Sequence, residues 1–178
     1  MVAGCSAVAV CTGLAMLLPA TYPTVAHVGL AGVAMAAAGA LDDASAAVTD
    51  STPRHLWWRT AMRLPLTLVP VAAWLLSGAA LEVHHRTWPF TFWAAVGTAV
   101  AVACVGAAAV ARRTGVPEPG EAVGTVVGAV LLAELMIGWP SVRGISPLVP
   151  EPEALLWWVP VLLLGVGGLA WGARDRFT

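Results

Sequence analysis

The residues best suited to chemistry in this chain are a handful of acids, histidines and arginines set in or beside long apolar stretches. Asp42 and Asp43 close one such stretch, and Asp50 follows them. An acidic pair can hold a divalent cation for phosphotransfer. That chemistry needs further acids, with glycine and arginine, at set spacing on facing helices, and this chain carries none of them. Acids at a helix C-terminus also oppose the macrodipole. Either Asp43 is therefore expected to cap a short helix over 44–49, or both aspartates to pair with nearby arginines. Downstream, Thr52-Pro53 reads as a cap followed by proline at the first helical position. From there His55, Arg59 and Arg63 fall at four-residue spacing on one face, beside Arg54. This predicts an interfacial helix with snorkelling arginines, serving either as a connector or as a docking element for a cytoplasmic partner. Asp42, Asp43, Arg54, Arg59 and Arg63 form the candidate docking set.

Glu134 is the one acid well inside an apolar stretch, where a charge costs at least a few kcal/mol and faces a cavity or a partner. It is expected either to act functionally or to pair with His27, Arg143 or a hydroxyl, and His27 alone reads as a core histidine. Glu82, His84 and His85 form a short flanking cluster expected to be solvated rather than zinc-binding. Cys5, Cys11 and Cys104 fall inside apolar stretches and read as small apolar side chains. Neither a Gly-x-x-x-x-Gly-Lys phosphate loop nor a Gly-x-Ser-x-Gly nucleophile turn occurs. No catalytic residue, resident metal or cofactor is expected, and the chain does not read as an enzyme.

The elements that position these residues follow from composition. The 178 residues are 59% hydrophobic and 11% charged, with mean hydropathy +0.82. A soluble domain is about one quarter charged. Windows 2–19, 23–41, 64–81, 89–111 and 154–173 contain no Asp, Glu, Lys or Arg, and 120–139 contains only Glu121 and Glu134. About 20 apolar residues rising ~1.5 Å each match a hydrocarbon core roughly 30 Å thick. Unbroken apolar runs exclude alternating membrane strands. The expectation is an all-α integral membrane protein, a bundle of six transmembrane helices forming one domain over residues 1–178. In span three, Pro65 is expected near the helix start and Pro70 at a kink. Trp88 and Trp93 are expected in an interfacial aromatic belt. Small residues recur at four-residue spacing in Ala3, Ala7, Cys11 and Ala15, in Gly120, Gly124 and Gly128, and in Gly168 and Gly172. Such stripes predict close helix packing within the chain.

All nine basic residues are arginines. With the N-terminus cytoplasmic, Arg54, Arg59, Arg63, Arg112, Arg113, Arg174 and Arg176 lie inside, and only Arg86 and Arg143 lie outside. The positive-inside rule then predicts both termini and the 42–63 loop in the cytoplasm. No basic patch exists beyond the membrane flanks, so nucleic acid is not an expected partner. Val2-Ala3-Gly4-Cys5 spells a lipoprotein box, but no basic or apolar signal region precedes it.

The segment Leu41-Asp42-Asp43-Ala44-Ser45-Ala46-Ala47, followed by Ser51-Thr52-Pro53, Arg59 and Arg63, resembles the first cytoplasmic loop of small membrane subunits of actinobacterial ABC transporters. Arg112-Arg113-Thr114-Gly115 with Glu118-Pro119-Gly120 is similar to the turn after the fourth span in that group, as is the closing Ala173-Arg174-Asp175. The layout is similar to type-2 export permeases, although those usually carry an amphipathic helix before the first span. The resemblance implies a plasma-membrane permease subunit of a bacterial ABC exporter, paired with a cytoplasmic ABC ATPase subunit and with a second membrane subunit as a homo- or heterodimer. It also implies a coupling helix between spans two and three and a re-entrant segment at 141–153. Two other readings remain open: a substrate-capture subunit of a vitamin or metal uptake system, and an accessory membrane scaffold.

Overall fold

The computed structural model describes residues 2–18, 22–42, 56–84, 89–137 and 154–174. They form six helices: α1 (Val2–Leu17), α2 (Tyr22–Gly39), α3 (Leu56–His84), α4 (Phe90–Thr114), α5 (Pro119–Ile137) and α6 (Leu155–Gly172). The six apolar windows of the sequence thus correspond one to one with six helices. No strand occurs among the described residues. Segments 43–55 and 138–153 lie outside them, and with them Asp43, Arg54, Arg143, the Thr52-Pro53 start and the expected re-entrant segment.

The main difference from the sequence expectation lies in α3. Its 29 residues begin at Leu56, eight residues before the expected start of the span. Leu56–Arg63 is continuous with the apolar helix, so within the described residues it is no separate interfacial element. At ~1.5 Å per residue α3 is about 43 Å long. Pro65 consequently sits in the helix interior, as does the buried Pro70. Each proline deprives a carbonyl four residues earlier of its donor. Close by, the Thr67 hydroxyl donates to the Leu64 carbonyl at 2.6 Å. The same economy recurs elsewhere: Thr12 donates to Val8 O and Thr98 to Ala94 O, both at 2.8 Å. These hydroxyls are satisfied within their own helices and demand nothing from the surroundings.

Two helices organise the packing. α2 touches α1, α3, α4 and α5, while α4 touches α2, α3, α5 and α6. Over half of α4's apolar window is buried (56%), against 11% for α6, which rests on α4 at the edge. Glycines set the closest approaches. A Cβ on Gly165 would lie 2.7 Å from Ala103 N, one on Gly168 would lie 3.2 Å from Gly106 C, and one on Gly172 would collide with Ala109. These pairs advance together along both chains, so α4 and α6 run parallel. In α5, a Cβ on Gly120 would strike the Ala38 carbonyl, one on Gly124 would lie 3.0 Å from Met35 Cα, and one on Gly128 would lie 4.0 Å from Ala31 Cβ. Here the partners run in opposite senses, so α2 and α5 are antiparallel. Both relations fit an up-and-down succession. The expected glycine stripes therefore pack within the chain.

Trp74 of α3 wedges between these central helices. Its indole lies where a Cβ on Gly29 or Gly97 would be, and its Nε1–H donates to the Trp93 carbonyl at 2.8 Å. An indole N–H buried in an apolar core needs such a partner. Outside this core the surface is apolar on several sides. Leu17 (78%), Leu76 (72%), Met136 (85%) and Leu164 (75%) project outward from four different helices. Three helical segments are long and apolar enough to cross a membrane: Ala61–His84, Phe90–Thr114 and Leu155–Gly172. Shorter apolar helices cover Cys5–Leu17 and Thr24–Gly39.

Candidate functional site

Charged residues collect at one end of the bundle, where α2, α4 and α6 finish and α5 begins. α4 is closed by Gly115 in the left-handed region (φ 95°), with Gly115 N–H donating to Arg112 O and Val116 N–H to Ala111 O. Only glycine adopts this conformation without strain, and the paired bonds satisfy two of the terminal carbonyls. The chain then turns through Pro117, and α5 starts at Pro119, where the missing N–H costs nothing.

Asp42 binds that start. Its Oδ1 accepts the Gly120 N–H at 2.6 Å. A carboxylate from the end of α2 thus caps the N-terminus of α5, where orphan N–H groups and the dipole favour negative charge. This resolves the conflict the sequence posed: Asp42 is misplaced with respect to its own helix and well placed with respect to another. Gly120 is required by the approach, because a Cβ there would lie 2.7 Å from Asp42 Oδ2 and strike the Ala38 carbonyl. Arg63 Nη1 donates to Leu41 O at 3.1 Å, so a cation sits on the terminal carbonyl of the α2 segment. Arg113 makes the matching contact for α6, donating to Trp171 O at 2.6 Å with its guanidinium 4.6 Å from the Trp171 ring centroid. Each is a charged side chain on the helix end whose dipole it complements.

Of the candidate docking residues, the structure therefore brings Asp42 and Arg63 to one place, at the two flanks of segment 43–55. Arg59 lies in the first turns of α3. Glu118 and Glu121 stand exposed at the start of α5. Glu118 is held above the ordinary carboxylate range, first by its hydrogen bond with Glu121 and the repulsion from that group, then by desolvation and by the charge of Asp42.

The second candidate pair lies toward the other end. His27 is 2% exposed, and its ring meets Trp93 edge-on at 6.5 Å between centroids. Glu134 is half-buried on α5, the helix that packs against the α2 that carries His27. Trp93 is 3% exposed, packed against Phe92 and His27. It is a core residue rather than the interfacial belt residue expected. Sequence reasoning also missed Trp74 and the Arg113–Trp171 contact. The glycines flanking Trp74 in space, Gly29 and Gly97, were the available signal, but they lie far apart in sequence.

A small cavity of about 10 Å³, bounded by α1, α2 and α3 residues including Cys11, Thr12, Trp74 and Ser77, has room for about one water. Comparison with protein-family models, with curated proteins and with solved structures returned no match.

Proposed function

We propose that the chain is the transmembrane subunit of an ABC-type exporter in a bacterial plasma membrane. A separate cytoplasmic ATPase would act on the 42–63 segment, and a second membrane subunit would complete the transport path. All six helices span the bilayer in this reading, with both termini and the charged pole inside. Apolar side chains on the outward faces meet lipid, which suits a surface that would be a liability in water.

The observation that carries the proposal is that described residues on either side of segment 43–55 are held by other helices. Asp42 ties its beginning to α5, and Arg63 ties the helix that follows it to the end of α2. A loop that receives load from a partner must be held by more than its own two helices, or it yields without moving them. The resemblance of this segment to the first cytoplasmic loop of such permeases supports the same reading. A capture subunit would instead hold its ligand inside one chain.

The test is to purify the chain together with its bound partners, to ask whether an ATPase co-elutes, and to reconstitute the complex. Substrate-responsive ATP hydrolysis is expected in the wild type. Replacing Asp42 and Asp43 together by alanine is expected to leave the chain inserted and the ATPase bound while abolishing the response. A response that survives the double replacement would reduce the segment to an anchor and favour the scaffold reading.

A further inference from the structure

The parallel helices α4 and α6 finish together, and both are long and apolar enough to cross a membrane. At their shared end the Trp171 carbonyl accepts from Arg113 Nη1 at 2.6 Å and from the Arg174 N–H at 3.2 Å. The guanidinium of one arginine therefore lies beside the backbone of the other. That guanidinium is also 4.6 Å from the Trp171 ring centroid, and both Trp171 and Arg174 are exposed. The described acids of this pole, Asp42, Glu118 and Glu121, gather instead around the start of α5. In sequence Asp175 is followed by Arg176, which leaves no net negative charge there. Two helix C-termini alone would repel an anion, with about half a negative charge each. Their last carbonyls are already occupied, however: Ala111 and Arg112 by the N–H groups of Val116 and Gly115, Leu169 by that of Ala173, and Trp171 by the two arginines. Two full positive charges outweigh the two partial negative ones, and this end is net cationic.

An apolar strip on α6 leads away from it. Trp157, Pro160, Leu164, Gly167 and Trp171 recur at three- and four-residue spacing, and all five are exposed. Nothing lies within 4 Å of where a Cβ on Gly167 would be, so the strip is notched between Leu164 and Trp171. It is roughly 21 Å long at ~1.5 Å per residue, more than the ~15 Å of hydrocarbon in one leaflet.

We propose that the edge formed by the ends of α4 and α6 binds one anionic phospholipid, with Arg113 and Arg174 on the headgroup phosphate and an acyl chain along the α6 strip beneath Trp171. Only one of the five N–H groups of the Arg113 guanidinium is spent on the Trp171 carbonyl, and a guanidinium matches phosphate as a forked donor. Trp171 supplies the apolar body and polar edge suited to the boundary between headgroup and hydrocarbon. A zwitterionic lipid would bring an ammonium against the same arginines, so the site favours a headgroup of net negative charge. The inference rests on the membrane setting proposed above and needs neither an ATPase nor transport.

The experiment places the full chain in nanodiscs of equal phosphatidylglycerol and phosphatidylcholine. After transfer to mild detergent, native mass spectrometry counts the lipids that stay bound. The wild type is expected to retain one phosphatidylglycerol in preference to phosphatidylcholine. Arg113→Gln with Arg174→Gln is expected to lower that preference by roughly fivefold per arginine. Arg54→Gln with Arg59→Gln removes the same charge from around the start of α3 and is expected to leave the preference intact. Gly167→Leu fills the notch without altering any charge. It is expected to weaken retention several-fold while its unfolding transition stays near wild type, which covers misfolding of the arginine variant. Excess inorganic phosphate is expected not to displace the lipid. Equal retention of both lipids by the wild type, or equal loss in the two arginine pairs, would overturn the proposal in favour of unspecific attraction. Displacement by inorganic phosphate would overturn it in favour of a soluble anion. A chain that does not enter nanodiscs at all would overturn the membrane reading itself.

Discussion

Asp42 shows what a charged residue at a helix end can and cannot reveal from sequence. Its conflict with the dipole of α2 was legible, and so was the need for a compensating partner. Capping of a following short helix and pairing with arginines are the partners the sequence offers. A backbone N–H at the start of a distant helix carries no such label, although Pro119-Gly120 is written as a helix start. The structure supplies the Gly120 N–H to Asp42 and puts Arg63 on the Leu41 carbonyl. Capping contacts of this kind contribute about 0.5–2 kcal/mol. Asp42→Ala should therefore lower stability by about 1–2 kcal/mol in detergent unfolding titrations, with Asp42→Asn closer to wild type. Glu118 makes a pH prediction. Its raised pKa means that the folded chain holds this proton more tightly than the unfolded chain does. The contribution therefore favours folding in acid and is lost as pH rises through the raised value. Glu118→Gln should then raise Tm slightly at neutral pH, with the gain vanishing in acid below about pH 4 and shrinking in high salt.

At the scale of elements, the six helices were legible because runs of about 20 apolar residues leave helices little alternative. Their ends fell within a few residues except at α3. There, Thr52-Pro53 and the arginine spacing suggested a separate helix, while nothing between Met62 and Leu66 compels a break. Pro65 was read as a start because the charge-free window began beside it, yet the helix continues through it. The small-residue stripes foretold close packing but not which helices would meet, since that depends on the assembled bundle. The α4–α6 contact allows a direct check. Gly165 touches the α4 backbone, whereas a Cβ at Gly167 meets nothing within 4 Å. Gly165→Leu should destabilise the protein by about 1–3 kcal/mol through overpacking, and Gly167→Leu, one helical face away, should be nearly neutral. Unfolding followed by tryptophan fluorescence distinguishes the two.

The whole molecule is a bundle with two central helices, an apolar perimeter and a charged pole from which the 43–55 segment departs. The arginine asymmetry in the sequence favours a cytoplasmic placement of this pole, and the proposed coupling of that segment to an ATPase would require it. The direct measurement is cysteine labelling from outside intact cells. In a background with Cys5, Cys11 and Cys104 replaced, single cysteines are placed at Ser51 and at Ser146, and an impermeant maleimide is added before and after lysis. The account predicts that the Ser51 site reacts only after lysis, while the Ser146 site reacts at once. A Ser51 site labelled in intact cells, with Ser146 protected until lysis, would contradict it.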